Sequence, residues 1–391
     1  SMKLGNYFNG NPTIISTATS TAIKKSKGFP TARGAKTYSG FKLQREKIVS
    51  ALTKMNADII AVMELENDGY GEESAIADLT RALNETLTLE FHYHYVIPNK
   101  KQLTKGKLGR SAISVGILYR KNKVNLVGGV KILNSKTSKG LASAVFFNDR
   151  LNRPSLIQEF EIGGREIIIA VNHFKSKGTR CKTAGVNKSK SNKYKKIKNK
   201  INKLSKKSEQ LDQLQGNCNQ VRRDAAIALT HFLEQQFDTV KDNILIIGDL
   251  NSYSQEDPLL FFYDQGYTNL NNTNLDNTNL DNTNLDSTNL DSTNLDSTKP
   301  IQKMTQNQLP KQAFSYSHQG YLGNLDHALA NSQLLPKVRS FHAWHINSVE
   351  DVLLDYSTED NGHQPPSIDH HGAPDEKRSS DHDPLIIGIE L

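Results

Sequence analysis

Five runs of aliphatic residues constrain this chain more than any other feature. They are ADIIAVM (57–63), AISVGILY (112–119), EIIIAVN (166–172), NILIIG (243–248) and PLIIGIE (384–390). A strand with one face in water alternates apolar and polar residues, and these runs scarcely alternate. Each therefore needs cover on both faces, which calls for sheets buried by other layers. The covers lie between the runs. Residues 42–55 (KLQREKIVSALTKM) put Ile48, Leu52 and Met55 on one helical face. Residues 74–86 do the same through Ile76, Leu79 and Leu83, and 222–236 (RRDAAIALTHFLEQQ) form a third helix. Helices interleaved with buried strands predict an α/β fold.

Composition sets the outer bounds. A chain of 391 residues with 36% hydrophobic and 23% charged residues has ample core for one large domain or two ordinary ones. No apolar run approaches 18 residues, so no membrane span is expected. The start, SMKLGNYFNG, has no signal-peptide apolar region, and Ser1-Met2 has the form of a cloning scar.

The net charge of +8 is concentrated. Residues 182–207 carry 11 lysines and no acid; taking those 11 from the 49 basic residues leaves 38 against 41 acidic ones. Such a block is either a solvated loop or a polyanion-binding arm with salt-sensitive affinity. Cys181 and Cys218, the only cysteines, bracket it. Their position at its two necks favours a disulfide clamp and an oxidising compartment, with two free cytosolic thiols as the alternative. A second insertion is low in complexity: Thr-Asn-Leu recurs six times at a period of five within 268–298. It reads as a polar tandem expansion in a surface loop, without chemistry of its own.

The apolar runs end in groups that can do chemistry. GDLNS (248–252) sets Asp249 and Asn251 two residues apart, hence on one side of an extended chain, after a glycine that lets another group come close. Taken alone it is equally good turn chemistry. Glu64 follows one strand and His173 another; Asp326 precedes a strand, and Asp381 and His382 precede the last. Five such ends from five separate elements point to one cleft held by a rigid scaffold.

These segments are similar to the endonuclease/exonuclease/phosphatase superfamily, closest to secreted bacterial nucleases of the biofilm-degrading type. The motifs are NYFNG (6–10), GFPTARGA (28–35), FKLQREKIVSAL (41–52), ADIIAVMELEND (57–68), NHFKSKG (172–178), GNCNQVRRDAAIAL (216–229), GDLNSYSQEDPL (248–259), GYLGNLDHALA (320–330), WHINS (344–348) and SSDHDP (379–384). The resemblance implies a four-layer α/β sandwich, two mixed β-sheets flanked by helices. It implies a single domain over 1–391, with a Lys-rich insertion at 182–215 and a repeat insertion at 268–312. Glu64 resembles a metal-binding glutamate and Asp381 a second metal-side carboxylate. Asp249 and Asn251 resemble the pair that orients water and contacts phosphate. His173 resembles a phosphate-stabilising or leaving-group histidine, and Asp326 the acid that holds a second histidine, His382. Arg222, Lys175 and Lys177 match substrate-binding positions. Cys181 and Cys218 match a pair found in the secreted subgroup.

The resemblance also carries an expected function. A phosphodiester repels nucleophiles, so cleavage needs a cation and a positioned base. Hard oxygen ligands suit Mg²⁺, with Mn²⁺ or Ca²⁺ as alternatives. No Ser or Cys nucleophile signature appears, so direct attack by water is expected. The sequence reads as a secreted, monomeric, sequence-nonspecific endonuclease acting on DNA or RNA without a membrane partner. A phosphatase, a phospholipid phosphodiesterase and a non-catalytic nucleic-acid-binding protein are the competing readings. Two departures stand out. Relatives carry a strand with a Phe-Asn pair before NYF, where this chain has Met2-Lys3, so that strand is expected to be absent. Relatives often read Gly-Thr-Asp where this chain has Gly109-Arg110-Ser111.

Overall fold

A computed structural model describes residues 35, 38–141, 145–178, 180–181, 215–273, 314–356 and 372–391. Strand β6 (Arg165–His173) shows why the aliphatic runs lack alternation. Ile167, Ile169 and Val171 enter one apolar cluster, while Ile168 and Ala170 enter another. Successive side chains point to opposite faces, and both faces are dry. Burying each such Ile or Val contributes roughly 1.5–3 kcal/mol.

The six-stranded sheet containing β6 runs β4 (Asn125–Leu133), β5 (Ser155–Ile162), β6, β7 (Ile244–Asp249), β11 (Asp326–Ala330), β8 (Thr268–Asn269). It is mixed: β6 and β7 are parallel, and the other neighbours are antiparallel. Helices α3 (Asn219–Gln236) and α4 (Asp257–Asp264) cover its outer face through Ala225, Leu229, Leu233 and Phe262. Its inner face meets a second layer. There β1 (Ile59–Glu66), β3 (Ile113–Arg120) and β2 (Tyr93–Tyr95) form an antiparallel sheet ordered β1-β3-β2. Helices α1 (Tyr38–Met55) and α2 (Ala75–Asn84) close the stack with Ile48, Leu52, Ile76 and Leu79. The order helix, sheet, sheet, helix is the four-layer α/β sandwich.

Three details differ from the sequence reading. Both sheets were expected to be mixed; among the described residues parallel pairing occurs only between β6 and β7. The second layer is also in two pieces, because among the described residues β12 (Val338–Ala343) and β13 (Leu385–Ile389) pair only with each other; β9 (Tyr316–His318) and β10 (Tyr321–Gly323) form a separate hairpin. An apolar slot separates β1 from β13, floored by Ile247 and Gly248 of β7 and Ala328 of β11. The expectation about an N-terminal strand falls on residues outside those described. Finally, the repeat insertion does not begin at 268. Residues 268–269 are the edge strand β8, paired with β11, and Asn269, Leu270 and Asn271 are buried. The Asn269 amide reaches Nδ1 of His327 at 3.0 Å, which the local repeat pattern does not reveal. The remaining repeats and the Lys-rich segment lie outside the described residues.

Candidate active site

Strand ends bring the chemistry together. Parallel pairing sets His173 beside Asp249, and antiparallel pairing sets Asp326 on the other side of Asp249. Gly248 makes that close approach possible. Its φ is +133°, and a Cβ there would lie 2.0 Å from the Asn172 carbonyl oxygen. Nε2 of His173 stands 3.5 Å from Oδ2 of Asp249 and 3.8 Å from Oε1 of Glu64.

Glu64 comes from the facing sheet. The β1–β3 register slips between Val62 and Leu65, and Glu64 takes a left-handed backbone, φ 58°. A bulge of this kind re-aims one side chain without breaking the strand. Asn251 is also left-handed, φ 49°; its backbone N–H donates to Asp249 Oδ1 at 2.8 Å and its amide to the Phe174 carbonyl at 3.1 Å. Non-glycine residues held in this region cluster at functional sites.

His382 completes the group. Its Nδ1 donates to Oδ2 of Asp326 at 2.6 Å, and the same oxygen accepts the Ser315 hydroxyl at 2.7 Å. Ligand atoms of Asp249, Asp326 and His382 lie within 4.8 Å of one another, all buried. Burial pushes the Asp249 carboxyl up to about 7; the Asp326 and Glu64 charges add to this, and His382 opposes it. Burial alone would lower His382, but the Asp326 charge and hydrogen bond outweigh it and raise the imidazole to about 9. The pair reads as an imidazolium gripped by a carboxylate, next to a carboxyl poised near neutrality.

A divalent cation fits this donor set. Asp249 and Asp326 offer hard oxygens within 4.8 Å of each other and of a His382 nitrogen, Glu64 adds a carboxylate 3.8 Å from His173, and a cation would relieve the cost of burying the Asp249 charge.

The family model described as Endonuclease/Exonuclease/phosphatase family matches residues 32–382. The chain belongs to the endonuclease/exonuclease/phosphatase family. Similar solved structures include a member of this family from Leptotrichia buccalis, 10% identical over 92% of this chain and 96% of that one, TM-score 0.47. A family member from Bacteroides thetaiotaomicron is 12% identical over 90% of each chain, TM-score 0.46. A mannosyl-6-phosphatase of the same organism is 11% identical over 89% of this chain and 91% of that one, TM-score 0.45. No curated protein matches.

Several positions carried over from the family stand differently. Arg222, expected at the phosphate, is fully buried. Its guanidinium donates to the Ser252 hydroxyl at 3.1 Å and to the carbonyls of Lys175, Asn217 and Gln215. It ties loops together, because a buried cation is retained only where its donors are satisfied. Lys177 likewise turns inward. Its ammonium pairs with Glu256, donates to the Gln215 carbonyl at 2.9 Å and lies over the Tyr253 ring. Lys175 donates to the Ser176 carbonyl and hydroxyl. Neither Glu64 nor Asp381, the two expected metal carboxylates, is among the three residues at ligand distance; the Asp381 charge helps raise His382. Cys181 and Cys218 are bonded, with Cα atoms 5.5 Å apart.

Sequence reasoning missed Ser315 and Asn347. The Asn347 amide donates to the His382 carbonyl at 2.7 Å, while its oxygen accepts from Ser379 and Ser380. Asn347 lies in WHINS and the segment it holds is SSDHDP, so the motif pair was legible but its contact was not. Ser315 carries no local signal at all.

Proposed function

We propose that this family hydrolase is a metal-dependent, sequence-nonspecific endonuclease that cleaves the phosphodiester backbone of DNA, and of RNA, by direct attack of water. One observation carries the reading: Asp249 sits between His173 and the Asp326–His382 pair, and Glu64 comes within 3.8 Å of His173. Glu64 and Asp249 would hold a divalent cation, which when bound would supply charge neutralisation at the phosphate. The protein's own groups do the rest. Asp249, whose Oδ1 is held by the Asn251 backbone N–H, would orient the attacking water and take up its proton. His382, cationic at neutral pH, stabilises the charge that develops on phosphate oxygens, and Asp326 fixes its ring. His173 would stabilise the phosphate or give a proton to the leaving oxygen.

The substrate class rests on charge. Eleven lysines between the disulfide-bonded cysteines favour a long polyanion over a small phosphate ester. The disulfide favours an extracellular setting. No described helix is long and apolar enough to cross a membrane. All the proposed groups come from one chain, so a monomer suffices.

The deciding assay offers supercoiled plasmid, a phosphomonoester and a phospholipid in Mg²⁺. Nicking of plasmid that EDTA stops, and that His382→Ala or Asp249→Ala removes, supports the reading. Turnover of the phosphomonoester or the phospholipid alone overturns it.

A further inference from the structure

His345, beside the site, is held on two sides. Its Nδ1 lies 2.8 Å from Oδ2 of Asp383. That carboxylate is fully buried and also accepts the backbone N–H groups of Asn347 and Ser348, at 2.8 and 2.9 Å, and the Ser348 hydroxyl. One ring face of His345 rests on Phe314, with centroids 3.9 Å apart and planes 10° from parallel. The side chain still keeps 37% exposure. With Nδ1 bonded and one face stacked, the opposite face and the Nε2 edge are the parts of the ring left to account for that exposure. A ring fixed at Nδ1 and backed by another ring cannot turn, so its outer face stays flat and open.

The place matters as much as the shape. Tyr316, two residues beyond Phe314, packs against His382 with centroids 4.6 Å apart, and the two are antiparallel bridge partners. Residues i and i+2 of an extended chain face the same way about 7 Å apart. Asp383, which holds His345, follows His382 directly in the chain, and Phe314 lies two residues from Tyr316, so the His345–Phe314 stack stands next to the His382 segment. A polymer with a phosphate at His382 would carry its neighbouring flat groups past this segment.

We propose that the His345–Phe314 stack is a shelf for the nucleobase adjoining the cleaved phosphodiester, an inference that rests on the nuclease reading. The physical fit is direct: every base offers a π face, so an aromatic platform holds a strand without reading its sequence. Asp383 acts as a positioning residue, since it fixes the ring and touches no substrate. A phosphate contact through the Nε2 edge is the competing chemistry, and variants of His345 separate the two.

The test measures binding of a fluorescent single-stranded DNA oligonucleotide in EDTA, and of the same oligonucleotide with tetrahydrofuran abasic sites in place of its bases. His345→Ala is expected to weaken binding of the normal strand about tenfold and to leave the abasic strand unchanged. His345→Phe is expected to restore most of the loss. Equal weakening on both strands overturns the shelf, and so does a His345→Phe protein as weak as His345→Ala. Cleavage of the same strands in Mg²⁺ keeps the two readings apart. A parent protein that binds in this base-dependent way yet cuts nothing sinks the nuclease reading and leaves the shelf standing.

Discussion

Asp326 and His382, 56 residues apart in sequence, share a hydrogen bond of 2.6 Å in a buried pocket. The bond joins the end of β11 to the segment that leads into β13, so it couples the six-stranded sheet to the β12–β13 pair. It also sets the charge state of the site, because the carboxylate is what keeps the imidazole protonated.

Replacing Asp326 by Asn removes that charge and keeps the shape. The His382 pKa should then fall from about 9, because burial is opposed only by the Asp249 and Asp381 charges once that of Asp326 is gone. NMR titration of the ring checks this. Plasmid cleavage should drop roughly 10²–10⁴-fold. An unchanged titration would mean that something other than Asp326 holds the proton.

The same pair predicts how stability varies with pH. His382 binds its proton more tightly folded than unfolded, so its contribution is complete below about pH 6.5 and is lost as pH rises through about 9. Metal-free protein should lose on the order of 2–3 kcal/mol across that window, measured by urea unfolding. Asp326→Asn should flatten the slope. A protein that gains stability from pH 6.5 to 9 contradicts the assignment.

Gly248→Ala tests the approach of β6 to β7. The added methyl would meet the Asn172 carbonyl at a distance no real contact shows, in a backbone that only glycine adopts readily. A loss of roughly 3–5 kcal/mol is expected, read as a lowered urea midpoint. A near-wild-type midpoint would show that the strands can part without cost.

Arg222→Lys separates a structural cation from a phosphate contact. The lysine keeps the charge but cannot bond Ser252 and three carbonyls at once. Stability should fall while the salt dependence of DNA binding in EDTA keeps its slope. A slope reduced by about one would place Arg222 on a phosphate after all.

Cys181→Ser together with Cys218→Ser should cost roughly 3–4 kcal/mol, because the bond closes a loop with a sequence separation of 37. The check is urea unfolding of the double variant against the parent with and without reductant. Equal midpoints for the reduced parent and the variant are expected.

The apolar runs alone determined that strands such as β6 lie between two dry layers, because periodicity is a local property and burial on both faces leaves it no polar register. The strand-end positions of Glu64, His173, Asp249, Asn251, Asp326 and His382 were legible for the same reason. Only the tertiary structure decided which of them touch. Strand order and register, fixed by packing between segments far apart in the chain, set His173 and Asp326 on either side of Asp249 and brought Ser315 to Asp326. It also decided direction: Arg222 and Lys177 look like phosphate ligands in a one-dimensional motif, yet their side chains turn inward to satisfy loop carbonyls and a buried glutamate. A sequence states which groups are available, but the environment that selects a partner for each exists only once distant segments have packed.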